Sequence, residues 1–415
     1  MRAVRALVAL LLLVLFSATT VTAGATPPQP PGWTAVWATS PHLPSKAFAP
    51  NWAETGFANQ TLRQMVRVSD GGVATRIRLT NRYGTTPLAV AGATIARSGA
   101  EGSIRQDTVQ NLTVDLAPSF RIAPGADLAT DPVLLPLSPL ESVTITLYLA
   151  EPTGPATQHA QSFATSYRAA GDHRADATAE AFTETTQSWY YLSGVEAMNA
   201  IPRRAGVVTF GDSITDGVGS NTNADNRYSD ELAERFAAAG SPRAVLNEGI
   251  GGNRVTVDSS WLGDAAQRRF RRDVLEQPGI GTVIILEGTN DIGLSTGGEA
   301  IGERSVEVSA EQLIAGNRDL IRQARTAGLR VIGATMLPFG NSLYYSATAE
   351  AKRDAVNQWI RTSGEYDAVV DFDAQLADPA DRHSLAPAFD SGDHLHPNEA
   401  GYRTMAATVN LADIR

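Results

Sequence analysis

From about Ile201 onward the chain alternates short buried-type strands with amphipathic segments of helix length, an order of elements that leaves few folds open. Val207-Val208-Thr209-Phe210 reads as a strand. In the helix that follows, Ser229 is the expected cap, Asp230 and Glu231 stand in the first turn, and Leu232 and Phe236 lie four apart on one face. Thr282 to Leu286 reads as a second strand. Ser309 and Gln312 have capping-box spacing ahead of an apolar stripe at Leu313, Ile314, Leu320, Ile321 and Ala324, and Gly328 is placed to end that helix. Arg330 to Met336 gives a third strand, Lys352 to Ile360 lies in another helix, Ala368 to Phe372 is a further strand, and a last helix is expected to begin at Pro397. Strands separated by helices pair in parallel and are covered on both faces, so residues 203–415 are expected to form a three-layer α/β/α domain. Its functional groups should lie beyond the carboxyl ends of the strands.

The preceding stretch, residues 33–195, has a different texture. Short apolar segments are broken by Gly, Pro, Asn and Asp; Thr75 to Thr80 alternates polar and apolar before a turn at Asn81-Arg82-Tyr83-Gly84, and Val143 to Leu149 alternates again with many β-branched residues. These features predict a β-rich domain, a sandwich or jelly roll. Residues 24–32 contain Pro27, Pro28, Pro30 and Pro31 and read as an extended linker. Residues 1–23 read as a secretory signal: Arg2 and Arg5, an apolar run from Ala6 to Phe16, and the small-residue exit Val21-Thr22-Ala23. That run is too short to cross a bilayer of ~30 Å as a helix, so export without stable membrane anchoring is the expectation.

Composition narrows the chemistry. A net charge of -10 argues against nucleic acid as a partner, because phosphate binding needs concentrated Lys and Arg. The chain has no cysteine, which excludes disulfides, thiolate catalysis and cysteine-ligated zinc together.

Gly211-Asp212-Ser213 follows directly on the strand ending at Phe210, a junction that projects a serine hydroxyl over the edge of the sheet. The same serine could instead merely cap a short helix. A nucleophilic serine needs a base. Of six histidines, His394 and His396 sit in Asp393-His394-Leu395-His396-Pro397, where a carboxylate three residues before an imidazole can orient it. A solvated turn, or a metal site on Asp393, His394 and His396, are the other readings; the second lacks a further ligand cluster. Acyl transfer also requires donors aimed at an oxyanion. Asn247-Glu248-Gly249-Ile250-Gly251-Gly252-Asn253 and Gly288-Thr289-Asn290-Asp291 each follow a strand and can supply them, although either alone could be an ordinary strand-to-helix turn.

The ordered set Gly211-Asp212-Ser213-Ile214, Gly252, Gly288-Thr289-Asn290-Asp291 and Asp393-x-x-His396-Pro397 resembles the SGNH (GDSL) hydrolase superfamily over about residues 203–410, with isoleucine at Ile214 where the name-giving motif has leucine. The resemblance implies Ser213 as nucleophile, His396 as base, Asp393 as its carboxylate, and an oxyanion hole from Ser213, Gly252 and Asn290. It implies neither cofactor nor metal. Val207 to Gly219, Val245 to Val255, Val283 to Gly293 and Asp390 to Tyr402 are most similar to the secreted acetylxylan-esterase-like branch, which implies an ester substrate on an acylated polysaccharide. A lipase, phospholipase or broad carboxylesterase is the alternative, then acyl transfer to another acceptor, then a non-catalytic carbohydrate-binding protein. Trp189, Tyr190, Tyr191 and Trp261 are candidate sugar-stacking aromatics or core residues. Oligomeric state is left open.

Overall fold

The computed structural model describes residues 32–46, 48–199 and 205–414; the expected signal segment and, apart from Gly32, the linker lie outside the described residues. The alternating stretch near Val143 becomes the strand Ser142–Leu149, centred in a six-stranded antiparallel sheet between Gln60–Arg67 and Gly92–Arg97. A four-stranded antiparallel sheet, in the order Trp33–Ala38, Leu192–Met198, Ala74–Thr80 and Asp127–Ala129, packs against it. Val36, Ile77, Leu79 and Val195 from the smaller sheet share one buried cluster with Leu62, Ile95, Ile145 and Leu147 from the larger, giving the sandwich arrangement expected for this half. Trp189, Tyr190 and Tyr191 belong to that same cluster and are buried, which removes them as sugar platforms; Trp261 is left.

The second half holds five parallel strands in the order Val245–Gly249, Gly206–Gly211, Ile280–Leu286, Arg330–Ala334, Ala368–Val370. Successive side chains point to opposite faces. Val208, Phe210, Val283 and Ile285 therefore enter one buried cluster with the helix Ala310–Thr326, while Val207, Ile284, Leu286 and Ile332 enter another with Tyr228–Ala238 and Glu399–Thr408. This is the three-layer arrangement predicted. The strand order reverses at Gly206–Gly211, so the crevice used by open α/β sheets lies just past its carboxyl end.

Local corrections have identifiable causes. The helix Tyr228–Ala238 is preceded by Arg227, and Ser229 lies inside its first turn, where its hydroxyl accepts a 2.9 Å hydrogen bond from the Asn247 amide. The last helix starts at Glu399, capped by Asn398, because Pro397 is held in a bridge with Asp390. Phe372 ends no strand; it opens the short helix Phe372–Leu376 behind the cap Asp371.

The two halves meet along the edge strand Val245–Gly249. The Val245 amide donates to Ser69 Oγ (2.8 Å), the Ala35 amide to the Pro278 carbonyl (3.0 Å), and Ala35 and Ala38 join the core of the second half. The β-rich half thus covers an edge that would otherwise expose unpaired backbone.

Candidate active site

Ser213 opens the single-turn helix Ser213–Asp216 immediately beyond the strand Gly206–Gly211. Asp212 precedes it, its carboxylate accepting from the Ile214 amide (3.0 Å) and its carbonyl from the Asp216 amide (2.8 Å). As the first helical residue, Ser213 has no acceptor for its amide within that turn. The residue is 8% exposed, so the turn that carries the hydroxyl is largely enclosed.

The Ser213 hydroxyl donates to His396 Nε2 at 2.8 Å, and His396 Nδ1 stands 2.6 Å from Asp393 Oδ2. The fold brings these three together from 183 positions apart in the chain. The segment carrying Asp393 and His396 is pinned by Asn398, whose amide donates to the carbonyls of Ala388 and Asp390, both at 3.1 Å. At Gly219 (φ +93°) a Cβ would come within 2.3 Å of the Pro397 carbonyl, so glycine there lets the histidine segment close on the serine turn. Burial alone would raise the Asp393 carboxyl; the hydrogen bond and charge of His396, with the amides of His396 and Leu395, outweigh it and hold the group well below the usual carboxylate range. His394 turns away, its Nδ1 2.6 Å from Asp390 Oδ2. Asp393, His394 and His396 therefore do not converge as ligands: the first and third pair with each other, the second with a different carboxylate.

Gly252 and Asn290 lie beyond the neighbouring strands, at the same end of the sheet. Gly252 adopts φ +75°, and a Cβ there would strike the Leu262 side chain at 2.5 Å, so the Leu262 methyls close over its Cα. The Asn290 amide donates to the Asn253 carbonyl (3.0 Å) and, at the longer distance of 3.3 Å, to Asp212 Oδ2, while its carbonyl accepts from the Tyr344 hydroxyl (2.9 Å). Only the longer of its two donated bonds is readily exchanged for a substrate oxygen. Burial pushes Asp212 up to about 6, against the opposing pull of the Ile214 amide and His396, and the neighbouring Asp291 is also raised to about 6 by burial.

Behind these groups lies a polar layer that local sequence reasoning did not find. Arg269, fully buried, donates to the carbonyls of Gly211 and Glu248 (both 2.8 Å), to Asn253 Oδ1 (2.8 Å) and to the carboxylates of Asp273 and Glu287 (both 3.1 Å). It thereby ties together the ends of the strands before Ser213, Gly252 and Asn290. From the β-rich half, His159 reaches Asp216 (3.0 Å), and the other Asp216 oxygen accepts from the Gly251 amide (2.9 Å).

The model of the GDSL-like lipase/acylhydrolase family matches residues 209–404. Residues 209–404 form a domain of that family. It is accordingly an ester-hydrolysing enzyme. Among solved structures, the chain is similar to a GDSL-like lipase from Bacteroides thetaiotaomicron VPI-5482 (20% identity, covering 51% of this chain and 88% of that one, TM-score 0.37). It is also similar to an acetyl xylan esterase from Geobacillus stearothermophilus (21%, 50% and 93%, TM-score 0.37) and to an aryl esterase from M. smegmatis (17%, 48% and 94%, TM-score 0.37). No curated protein matches the chain.

Proposed function

We propose that the protein is a secreted serine esterase that removes short acyl groups, acetyl above all, from a polysaccharide such as xylan. The observation that carries the catalytic part is the continuous chain Ser213 Oγ, His396 Nε2, His396 Nδ1, Asp393 Oδ2, with links of 2.8 and 2.6 Å. In this reading neutral His396 takes the Ser213 proton as the hydroxyl attacks the ester carbonyl. The ionised Asp393 fixes the imidazole tautomer and stabilises the imidazolium that forms. The amides of Ser213 and Gly252 and the side chain of Asn290 hold the oxyanion, Asn290 giving up its long bond to Asp212. His396 then protonates the departing alcohol, and water activated by the same ring releases the acid from the acyl-serine. No step draws on a cofactor or metal. The acetyl-polysaccharide part is supported by the sequence resemblance of the four active-site stretches to secreted acetylxylan esterases, and secretion by the signal-like N-terminus.

The test compares wild type with Ser213→Ala on p-nitrophenyl acetate, butyrate and octanoate, and on acetylated xylan with released acetate measured. The substitution is expected to cost about 10³–10⁶-fold while the fold survives. Retained activity would discard Ser213 as nucleophile. Preference for octanoate with xylan ignored would move the substrate to the lipase class.

A further inference from the structure

Beside the oxyanion loop the β-rich half forms a cavity of about 390 Å³, lined by Phe48, Pro50, Gln161, Phe163, Thr165 and Gln187 among others. That volume is in the range of small-molecule sites. Three contacts tie it to the catalytic centre. First, Gln161 and Phe48 rest on Gly251, the residue before Gly252: a Cβ there would come within 2.0 Å of Gln161 Oε1 and 2.9 Å of the Phe48 ring. Second, Asn223, in the loop after the Ser213 turn, donates from its amide nitrogen to Thr165 Oγ1 (2.8 Å) and from its backbone to the Phe163 carbonyl (2.8 Å), and its side-chain oxygen accepts from the Thr165 amide (2.7 Å). Third, the Phe48 ring lies 5.1 Å from that of Trp261, and the next residue, Leu262, covers Gly252. Phe48 is 46% exposed although it is a large apolar residue.

The lining has a definite chemistry. No residue of the wall is charged, which does not suit a phosphate or carboxylate ligand. Two glutamine amides and three threonine hydroxyls alternate with two phenylalanine rings, a pattern an acyl chain cannot use because it has no hydrogen-bonding groups to offer. Gln161 Oε1 is buried and has no hydrogen-bond partner among the described residues. Turning this amide from Gly251 toward the cavity would let a ligand hydroxyl satisfy it. A sugar ring matches both features, with apolar C–H faces for the aromatic rings and hydroxyls for the amides.

We propose that this cavity is the alcohol-side subsite, taking a neutral sugar unit next to the acylated one, so that the β-rich half selects the substrate. The inference rests on the polysaccharide reading above. It is tested by titrating acetylated xylohexaose into Ser213→Ala protein and into the same protein also carrying Phe48→Ala or Gln161→Ala. Either added change is expected to weaken binding about tenfold or more. Otherwise wild-type enzyme with the same single changes is assayed, and the ratio of kcat/KM on acetylated xylohexaose to that on p-nitrophenyl acetate should fall by a similar factor. Acetate release from the saccharide with binding and ratio untouched by both changes would overturn the subsite and leave the polysaccharide reading standing. Saccharide binding that depends on Phe48 and Gln161, without acetate release by wild type, would keep the sugar site and remove that reading. Selective loss on p-nitrophenyl octanoate would assign the cavity to the acyl chain and overturn the proposal.

Discussion

His159 reaches across from the β-rich half to Asp216, three residues past Ser213, at 3.0 Å. Its other ring nitrogen stands 2.9 Å from the Ser40 carbonyl, so both nitrogens face acceptors and the ring is suited to carrying both protons. Burial disfavours that charge, but the Asp216 carboxylate and the two hydrogen bonds outweigh it and raise the histidine above its ordinary value. Through the second oxygen of Asp216 the link continues to the Gly251 amide, beside Gly252. The nucleophile turn and the glycine loop are thus held by a residue outside the catalytic half.

His159→Ala should therefore lower kcat on p-nitrophenyl acetate by about 10–100-fold with a smaller change in KM, since misplacing the oxyanion donor proposed at Gly252 would act on the transition state. His159→Gln should recover part of the loss, because its amide can still donate to Asp216. A lower unfolding midpoint with unchanged kcat would confine His159 to holding the two halves together.

Arg269 is the buried hub of the same region, and its guanidinium also lies 4.0 Å from the centre of the Phe210 ring. Arg269→Ala takes from Glu287 its arginine partner and opens the bonds to Gly211, Glu248 and Asn253, while Asp273 keeps Arg272. A loss of about 3–5 kcal/mol in urea unfolding is expected, as for other broken buried pairs. Arg269→Lys should restore little, because one ammonium cannot match a planar fork spread over several acceptors. Wild-type stability in Arg269→Lys would show that charge alone suffices.

The sequence carried the alternation of strand and helix because each element buries residues at its own period, and it made Ser213, Gly252, Asn290, Asp393 and His396 legible as candidates because each stands in a short local motif, the first three shortly beyond strand ends and the last two in the irregular segment before the final helix. Arg269 and His159 were not legible for a physical reason. Arg269 meets Ser40 across 229 positions and His159 meets Asp216 across 57, with no local pattern to announce either contact. Ser229 illustrates the opposite failure: it has the right chemistry for a cap, but Asn247, from the adjacent strand, claims its hydroxyl. Likewise Trp189, Tyr190 and Tyr191 look like a binding cluster in one dimension and prove to be sandwich core in three, while Phe48 gave no signal at all.

On the proposed mechanism Asn290→Ala should reduce kcat on p-nitrophenyl acetate by about 10²–10³-fold, the usual effect of deleting an oxyanion donor, and an unchanged rate would remove it from that role. Tyr344→Phe removes only the hydroxyl that orients the Asn290 carbonyl, so its cost should be smaller and should vanish in the Asn290→Ala background. Additive losses in the double variant would show that Tyr344 acts independently of Asn290.

Stability should fall as pH rises from about 5 to 7.5, against the common pattern of acid destabilisation. The polar layer places the carboxyls of Asp212, Glu248, Asp273 and Glu287 around two arginines, the buried Arg269 and the partly buried Arg272. Asp273 takes most of the pairing: despite burial, Arg272 and Arg269 hold it below its ordinary value. Burial raises Glu248 and Glu287 well above theirs, and Asp212 and Asp291 to about 6. The folded protein therefore binds more protons than the unfolded chain once pH exceeds the unfolded carboxylate values of about 4, and stability declines until these groups have ionised. His159, also raised, adds stability that is complete below about 6.5 and is lost as pH climbs through its folded value. His42, lowered by burial and by His159, acts in the opposite sense below about 6.5 but is a single group. Asp393, held low, costs stability only when pH drops below the ordinary carboxylate range. Thermal unfolding followed across this window should show the midpoint falling with pH, and Glu287→Gln, which removes one of the raised carboxyls, should flatten the slope. A midpoint that climbs with pH would mean that the cluster is ionised in the folded state, with Arg269 and Arg272 balancing all of its carboxylates.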